Sequence, residues 1–462
     1  MSAVLMISVT CSILGFAFAF LGVGVRTLPV LLGFWLLGLV LLFHVLSELP
    51  QGHVADNPYR RFVSLSQIDD WILTSAAALL AFACGYGLLL RRRQLSSKPP
   101  GERATKHLGV ISQRTKHVLL GSTAFLYVAV LAIEEGFRPT SSVAYFIDGI
   151  LGPLLLPTLI FTLLLTANSG SQKRQMLLIG LLAVLLFPFG NRLLVLSAVA
   201  MWLYGRSYLG RPLGLRVVAW GALILIVSSL AVEAVRVDSG RGVFQAGGLS
   251  RILEVPSATV EAIAAPSDLP GIDEQIIRLD GNSYPAIILA LQESGRQPIG
   301  LSNVPNSLYL AVPRFLNPNK YASPASQRNE EAFIRSRYEY GPLGRLDFLP
   351  TQFGALLAMF GAGGLVLATF TLGSGVATLD NRLLRRPSLT KLFVGLFVLS
   401  TIASYEKGIE NYFVSFRVLL VVLIGTFMFK AFKRMGVPRQ ALHFARRAQT
   451  KSARPTSSLG AK

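Results

Sequence analysis

The sequence predicts an all-α polytopic membrane protein of about 11 transmembrane helices, with one large extramembrane loop containing short helices. Three observations predict it. Hydrophobic residues fill 52% of the 462 positions and charged residues only 15%, with a mean hydropathy of +0.53; soluble domains carry about 25% charge. Apolar runs long enough to cross a ~30 Å hydrocarbon core recur along the chain. The lysines and arginines gather on alternate loops, the charge asymmetry of a multi-pass topology.

The spans are read as 4–22, 28–46, 71–90, 118–134, 144–167, 176–189, 192–205, 216–233, 351–374, 391–405 and 411–430. Helices are the form such runs take in lipid, because every backbone N–H and C=O must be satisfied within the segment. The third span stops at Arg91-Arg92-Arg93. The runs 176–189 and 192–205 are short, and Gly190-Asn191 between them favours two helices joined by a tight turn over one kinked helix. Four segments follow: 1–233 with eight spans, 234–350 as the large loop, 351–432 with three spans, and a basic tail, 433–462, whose composition predicts disorder against anionic lipid. Within the loop, "YPAIILALQ" (284–292) places Pro285 near a helix start.

With the C-terminus inside, the N-terminus lies outside. The inside loops, together with the segment from Lys430 onward, then hold 27 of the 44 lysines and arginines, against only Glu102 and Asp380. The net charge of +20 is therefore a topology signal and a contact with acidic lipid, not a nucleic-acid footprint. The large loop is close to neutral, with 11 basic and 12 acidic residues. The two cysteines, Cys11 and Cys84, sit in apolar runs and imply no disulfide framework. The histidines are scattered, with no metal-ligand spacing.

Five groups of polar residues invite a functional reading. Arg192 in "FGNRLL" opens an apolar helix at the external side, where it either holds a phosphate bidentately or snorkels to the interface. In "VEAVRVDSGRGVF", Glu233, Arg236, Asp238 and Arg241 cluster at the external end of a span. They form either an acid–base and anion-binding group or an ion-paired helix end. "AVPRFLNPNKY" (311–321) is stiffened by two prolines and carries Arg314, Phe315, Lys320 and Tyr321; on residues alone it reads as an interfacial loop with aromatic anchors. Arg417 lies inside the last span, where a charge faces a cavity or partner or else snorkels outward; Glu406 and Glu410 precede it. Asp148, with Glu134 and Glu135 before it, is a partner for the arginines or a cavity-edge residue. The glycines at 354, 361, 363 and 364, like those at 85 and 87, read as helix-packing positions.

Taken together, the span number, the late external loop, "PRFLNPNKY", the glycine- and aromatic-rich "GPLGRLDFLPTQFGALLAMFGAGGLVLATFTLG" (341–373), and the arginines of "FGNRLL" and "SFRVLL" resemble the bacterial oligosaccharide repeat-unit polymerases, the Wzy-type O-antigen and exopolysaccharide polymerases. Arg192 stands here in Asn-Arg-Leu instead of the family's more usual Ser-Arg-Gly. The resemblance implies a multi-pass protein of the bacterial inner membrane, with the large loop periplasmic, the N-terminus periplasmic and the C-terminus cytoplasmic. It implies a glycosyltransferase that joins repeat units carried on undecaprenyl pyrophosphate by transfer to an acceptor sugar hydroxyl. Membrane lipids, a chain-length regulator and a flippase are the partners it implies.

Such a reaction needs fixed cations at headgroup level for the leaving diphosphate. Arg192, Arg236, Arg241, Arg314, Lys320 and Arg417 are the candidates. Glu233, Asp238 and Glu406 are the candidate bases, and Phe315 and Tyr321 the candidate sugar contacts. No DxD motif is present, so the expected transfer uses no metal and no cofactor. Two rival readings are an O-antigen ligase and a transporter or flippase of lipid-linked glycan. The ligases rely on an external histidine, whereas the large loop here has none. A transporter would favour internal repeats, and none is found.

Overall fold

A computed structural model describes residues 64–94, 113–134, 151–166, 172–186, 189, 192–209, 220–221, 223–224, 227–228, 283–312, 334, 338, 351–385, 388–403 and 409–435. Among these the chain is helical, with no strand. The helices are α1 (Leu65–Gln94), α2 (Gln113–Glu134), α3 (Gly152–Thr166), α4 (Gln172–Leu186), α5 (Arg192–Tyr208), α6 (Ser283–Glu293), α7 (Asn303–Ala311), α8 (Gln352–Arg385), α9 (Leu389–Ala403) and α10 (Glu410–Met435), with a 3-10 turn at Gly300–Ser302 before α7.

Three stretches are long and apolar enough to cross a membrane: Ser66–Leu89, Gln113–Ala132 and Gln352–Leu383. Shorter apolar helices cover Gly152–Thr166, Met176–Leu186, Leu389–Ile402 and Tyr412–Val422. The expected short pair is two helices, α4 ending at Leu186 and α5 beginning at Arg192. The expected spans 4–22 and 28–46 and the basic tail lie outside the described residues, and span 216–233 is described only at scattered positions.

The chain divides into two compact units, Met1–Ser415 and Phe416–Lys462. In the first, α8 packs chiefly on α1, and glycines set how closely. A Cβ at Gly85 would strike the Phe370 carbonyl, and one at Gly373 would strike the Phe82 carbonyl, so each helix lies on the other's backbone. Ser374 adds a hydroxyl bond to the Gly85 carbonyl at 3.4 Å. This is the small-residue packing expected of Gly85, the usual means of close approach between apolar helices. Gly205 likewise yields to Leu164 on α3, and Gly395 on α9 yields to the Tyr204 ring.

Polar side chains tie the remaining helices. The Thr123 and Thr162 hydroxyls meet at 2.7 Å between α2 and α3, and the Tyr127 hydroxyl donates to the Leu185 carbonyl at 2.8 Å. The Tyr208 hydroxyl accepts the Ser388 N–H at 3.1 Å and lies 3.4 Å from the Leu383 carbonyl, holding the α8–α9 connection to the end of α5. Trp71, Phe82, Tyr86, Trp202, Tyr204 and Tyr208 fill the core between these elements.

The glycines of 354–364 depart from the packing role expected of them. Gly354 packs tightly on α6, where a Cβ would lie 3.2 Å from Pro285 and 3.3 Å from Tyr284, whereas one at Gly361 would make only ordinary contact, 3.4 Å from Pro298 and 3.8 Å from Gln292. Gly363 faces open space, and Gly364 meets only Phe360 of its own helix. Gly361 has φ 72° and ψ −179°, and breaks α8 in two. Such angles are essentially glycine-only. The three i→i−4 bonds that bracket them in a continuous helix, from residues 362–364 to 358–360, cannot be kept.

Candidate functional site

The break in α8 is held by polar groups from the chain before it. Ile299 donates its N–H to the Ala358 carbonyl at 3.0 Å, and Tyr338 donates its hydroxyl to the same oxygen at 3.0 Å. Gln292, one residue from the end of α6, donates its amide to the Tyr338 oxygen at 2.7 Å and to the Leu357 carbonyl at 2.9 Å. The carbonyl of Ala358, deprived of its partner four residues on, thus has two substitutes. Backbone groups left bare in an apolar setting cost several kcal/mol, on the order of 2–7. Burial pushes the Tyr338 phenol above its ordinary range, and the hydrogen bond from Gln292 pulls partly the other way.

One helical stretch earlier, at the start of α8, the backbone is strained. Thr351 is 2% exposed and has φ 42°. A β-branched residue in that region is an outlier, costing on the order of 1–3 kcal/mol. It persists because Thr351 caps the helix: its Oγ1 accepts the Gly354 N–H at 3.1 Å and its carbonyl accepts the Ala355 N–H at 3.0 Å.

Gln352 follows, and it is 1% exposed. Its Oε1 accepts the Tyr412 hydroxyl, from the start of α10, at 2.6 Å. Its Nε2 has no hydrogen-bond partner among the described residues. Exchanging the amide's oxygen and nitrogen would not help, since the oxygen would then lack a donor. A buried amide left half-satisfied costs about 1–3 kcal/mol. Strain and an unsatisfied donor therefore occur side by side, as they do where structure is held for function. Tyr284 and Pro285 of α6 close one side, against Gly354. This corner joins the first turns of α6, α8 and α10.

Of the residues expected at the site, Arg192 is the first residue of α5, in keeping with its expected place at a helix opening. Arg417 is half-buried on α10 and belongs to the second unit. Glu233, Arg236, Asp238, Arg241, Arg314, Phe315, Lys320, Tyr321 and Glu406, like Asp148, lie outside the described residues. Among the described residues no group of three His, Cys, Asp or Glu is placed to hold a metal.

Thr351, Gln352, Gln292 and Tyr338 were not singled out by sequence. The only signal was a polar Thr-Gln pair at the mouth of a long apolar run, which marks a helix start without marking a site. No family model, no curated protein and no solved structure matches this chain.

Proposed function

We propose that this chain is a multi-pass glycosyltransferase of the bacterial inner membrane that polymerises undecaprenyl-pyrophosphate-linked oligosaccharide repeat units on the periplasmic face. In this reading about eleven spans embed it, with residues 234–350 periplasmic and the C-terminus cytoplasmic. The acceptor sugar hydroxyl attacks the anomeric carbon of the growing glycan. The bond from that carbon to the diphosphate oxygen breaks, and the diphosphate leaves on its lipid. The hydroxyl proton passes to a carboxylate, with Glu233, Asp238 and Glu406 as candidates. Arg192, Arg236, Arg241, Arg314, Lys320 and Arg417 are the candidate cations for the departing charge. No metal and no cofactor enters this scheme.

Membrane embedding is supported by apolar side chains exposed at helical spacing. They include Val118, Phe125 and Val128 on α2, Leu177, Leu181 and Val184 on α4, and Phe416, Leu420 and Ile424 on α10. Stripes of this kind suit hydrocarbon and would not be left bare to water.

One observation carries the polymerase reading: the late polar segment is docked on an apolar helix. Ile299, Gln292 and Tyr338 hold it to α8 around Leu357 and Ala358, and α7 then ends at Ala311, two residues before Pro313-Arg314-Phe315. The chain up to Val312, just ahead of the motif, is thus held to α8. A diphosphate-binding loop needs that fixity, because positioning supplies much of the rate.

A deletion strain tests the reading. Surface glycan should fall to a single repeat or none, with lipid-linked repeats accumulating outside the inner membrane. Arg314→Ala should reproduce this at normal protein level. Accumulation inside would identify a flippase, and normal polymer from both the deletion strain and Arg314→Ala would reject the proposal.

A further inference from the structure

We infer that the first turn of α8 is an anion site in which Gln352 donates its amide N–H groups to a phosphoryl oxygen of the lipid-linked diphosphate. The inference rests on the polymerase reading for the identity of the diphosphate. The donors themselves follow from the geometry. Tyr412 spends its hydroxyl proton on Gln352 Oε1, at 2.6 Å, which leaves the amide presenting only N–H groups. Those groups have no partner among the described residues, although Gln352 is only 1% exposed. The corner thus presents buried donors that a hydrogen-bond acceptor would satisfy.

The helix start favours the same kind of ligand. The first N–H groups of a helix point out of its end, and here Thr351 Oγ1 accepts that of Gly354. The N-terminus of a helix carries partial positive charge and favours an anion over a neutral acceptor. The first segment of α8, up to the break at Gly361, is nine residues, enough for this effect. Thr351 holds the left-handed turn that directs the chain into Gln352, and Tyr412 fixes the plane of the amide. Gln352 is thus a donor of fixed orientation, and Tyr412 positions it.

The test uses the full-length chain purified in detergent, titrated with inorganic pyrophosphate, with a polyprenyl diphosphate and with the matching polyprenol. Binding is followed by calorimetry, and each variant is checked by its unfolding midpoint. Both diphosphates should bind the wild type. Gln352→Leu should weaken both by about ten- to a hundredfold, the usual worth of a hydrogen bond to a charged group. Gln352→Glu keeps the size and the bond from Tyr412 but swaps the donor for a negative oxygen, so it should weaken binding further. Tyr412→Phe, which frees the amide to turn, should weaken it a few-fold.

Equal affinity of the diphosphates for wild type and for Gln352→Glu overturns the inference and leaves the polymerase reading intact. Polyprenol binding with the same dependence on Gln352 also overturns it, because the phosphate would not be the ligand. Absence of diphosphate binding to the wild type overturns the inference and the polymerase reading together.

Discussion

Gly85 of α1 rests on the carbonyl of Phe370 in α8, and three residues along each helix Gly373 rests on the carbonyl of Phe82. The two longest described helices are therefore joined backbone to backbone, and side chains larger than hydrogen have no room at either point. Gly85→Ala should destabilise the protein by about 1–3 kcal/mol, the usual cost of forcing a methyl into a packed contact. Gly363→Ala is the matched control. A Cβ there meets nothing within 4 Å, so the exchange should be neutral or raise stability by up to about 1 kcal/mol through helix propensity. Unfolding midpoints in detergent would separate the two.

Gly361→Ala should be costly for a different reason. The site has room, with Pro298 no closer than 3.4 Å, but φ 72° excludes a side chain. The expected loss is on the order of 1–3 kcal/mol if the break persists. If α8 straightens instead, the bonds of Ile299 and Tyr338 to Ala358 are lost and limited proteolysis should cut faster near Ile299.

Alkaline pH should release the same brace. Burial raises the Tyr338 pKa, so the folded chain prefers the neutral phenol. Its stabilising contribution is complete below the unfolded value of about 10 and is lost as pH rises above it. A phenolate cannot donate to the Ala358 carbonyl. Stability should be flat through neutrality and fall above about pH 10, and Tyr338→Phe should lessen that fall. The same variant should cost about 1 kcal/mol at neutral pH. Tyr208 shifts in the same direction and accounts for part of the remaining slope.

Arg417 offers a kinetic test of the polymerase reading. Arg417→Ala should lower the rate of chain growth by about 10²–10³ if the guanidinium meets charge developing in the transition state. Arg417→Lys keeps the charge but not the planar fork, so it should restore only part. Chain-length distributions at matched protein level would show this, and unchanged distributions would remove Arg417 from the mechanism.

Hydropathy and loop charge were enough to place α1 to α5 and α8 to α10 in the chain, because each is a long apolar run bounded by polar or turn-forming residues. Pro188-Phe189-Gly190-Asn191 was enough to part α4 from α5. Gly85 was read correctly as a packing residue. Gly361 was misread, since its neighbours at 363 and 364 give the same spacing as a packing motif. What distinguishes it is a backbone angle held by Ile299 and Tyr338, both more than 20 residues earlier in the chain. Gln352 was invisible for a related reason. A glutamine at a helix start is ordinary, and only the pairing of its oxygen with Tyr412 makes its nitrogen notable. Contacts distant in sequence leave no periodic trace in it.

The break at Gly361 also has a spectroscopic consequence. The amides of 362–364 sit about a third of the way along the longest described helix, where the angles at Gly361 take away the acceptors that regular helix would give them. Deuterium uptake along α8 should accordingly read as two slow blocks with a fast three-residue gap between them, a pattern that no uninterrupted rod of the same composition would give.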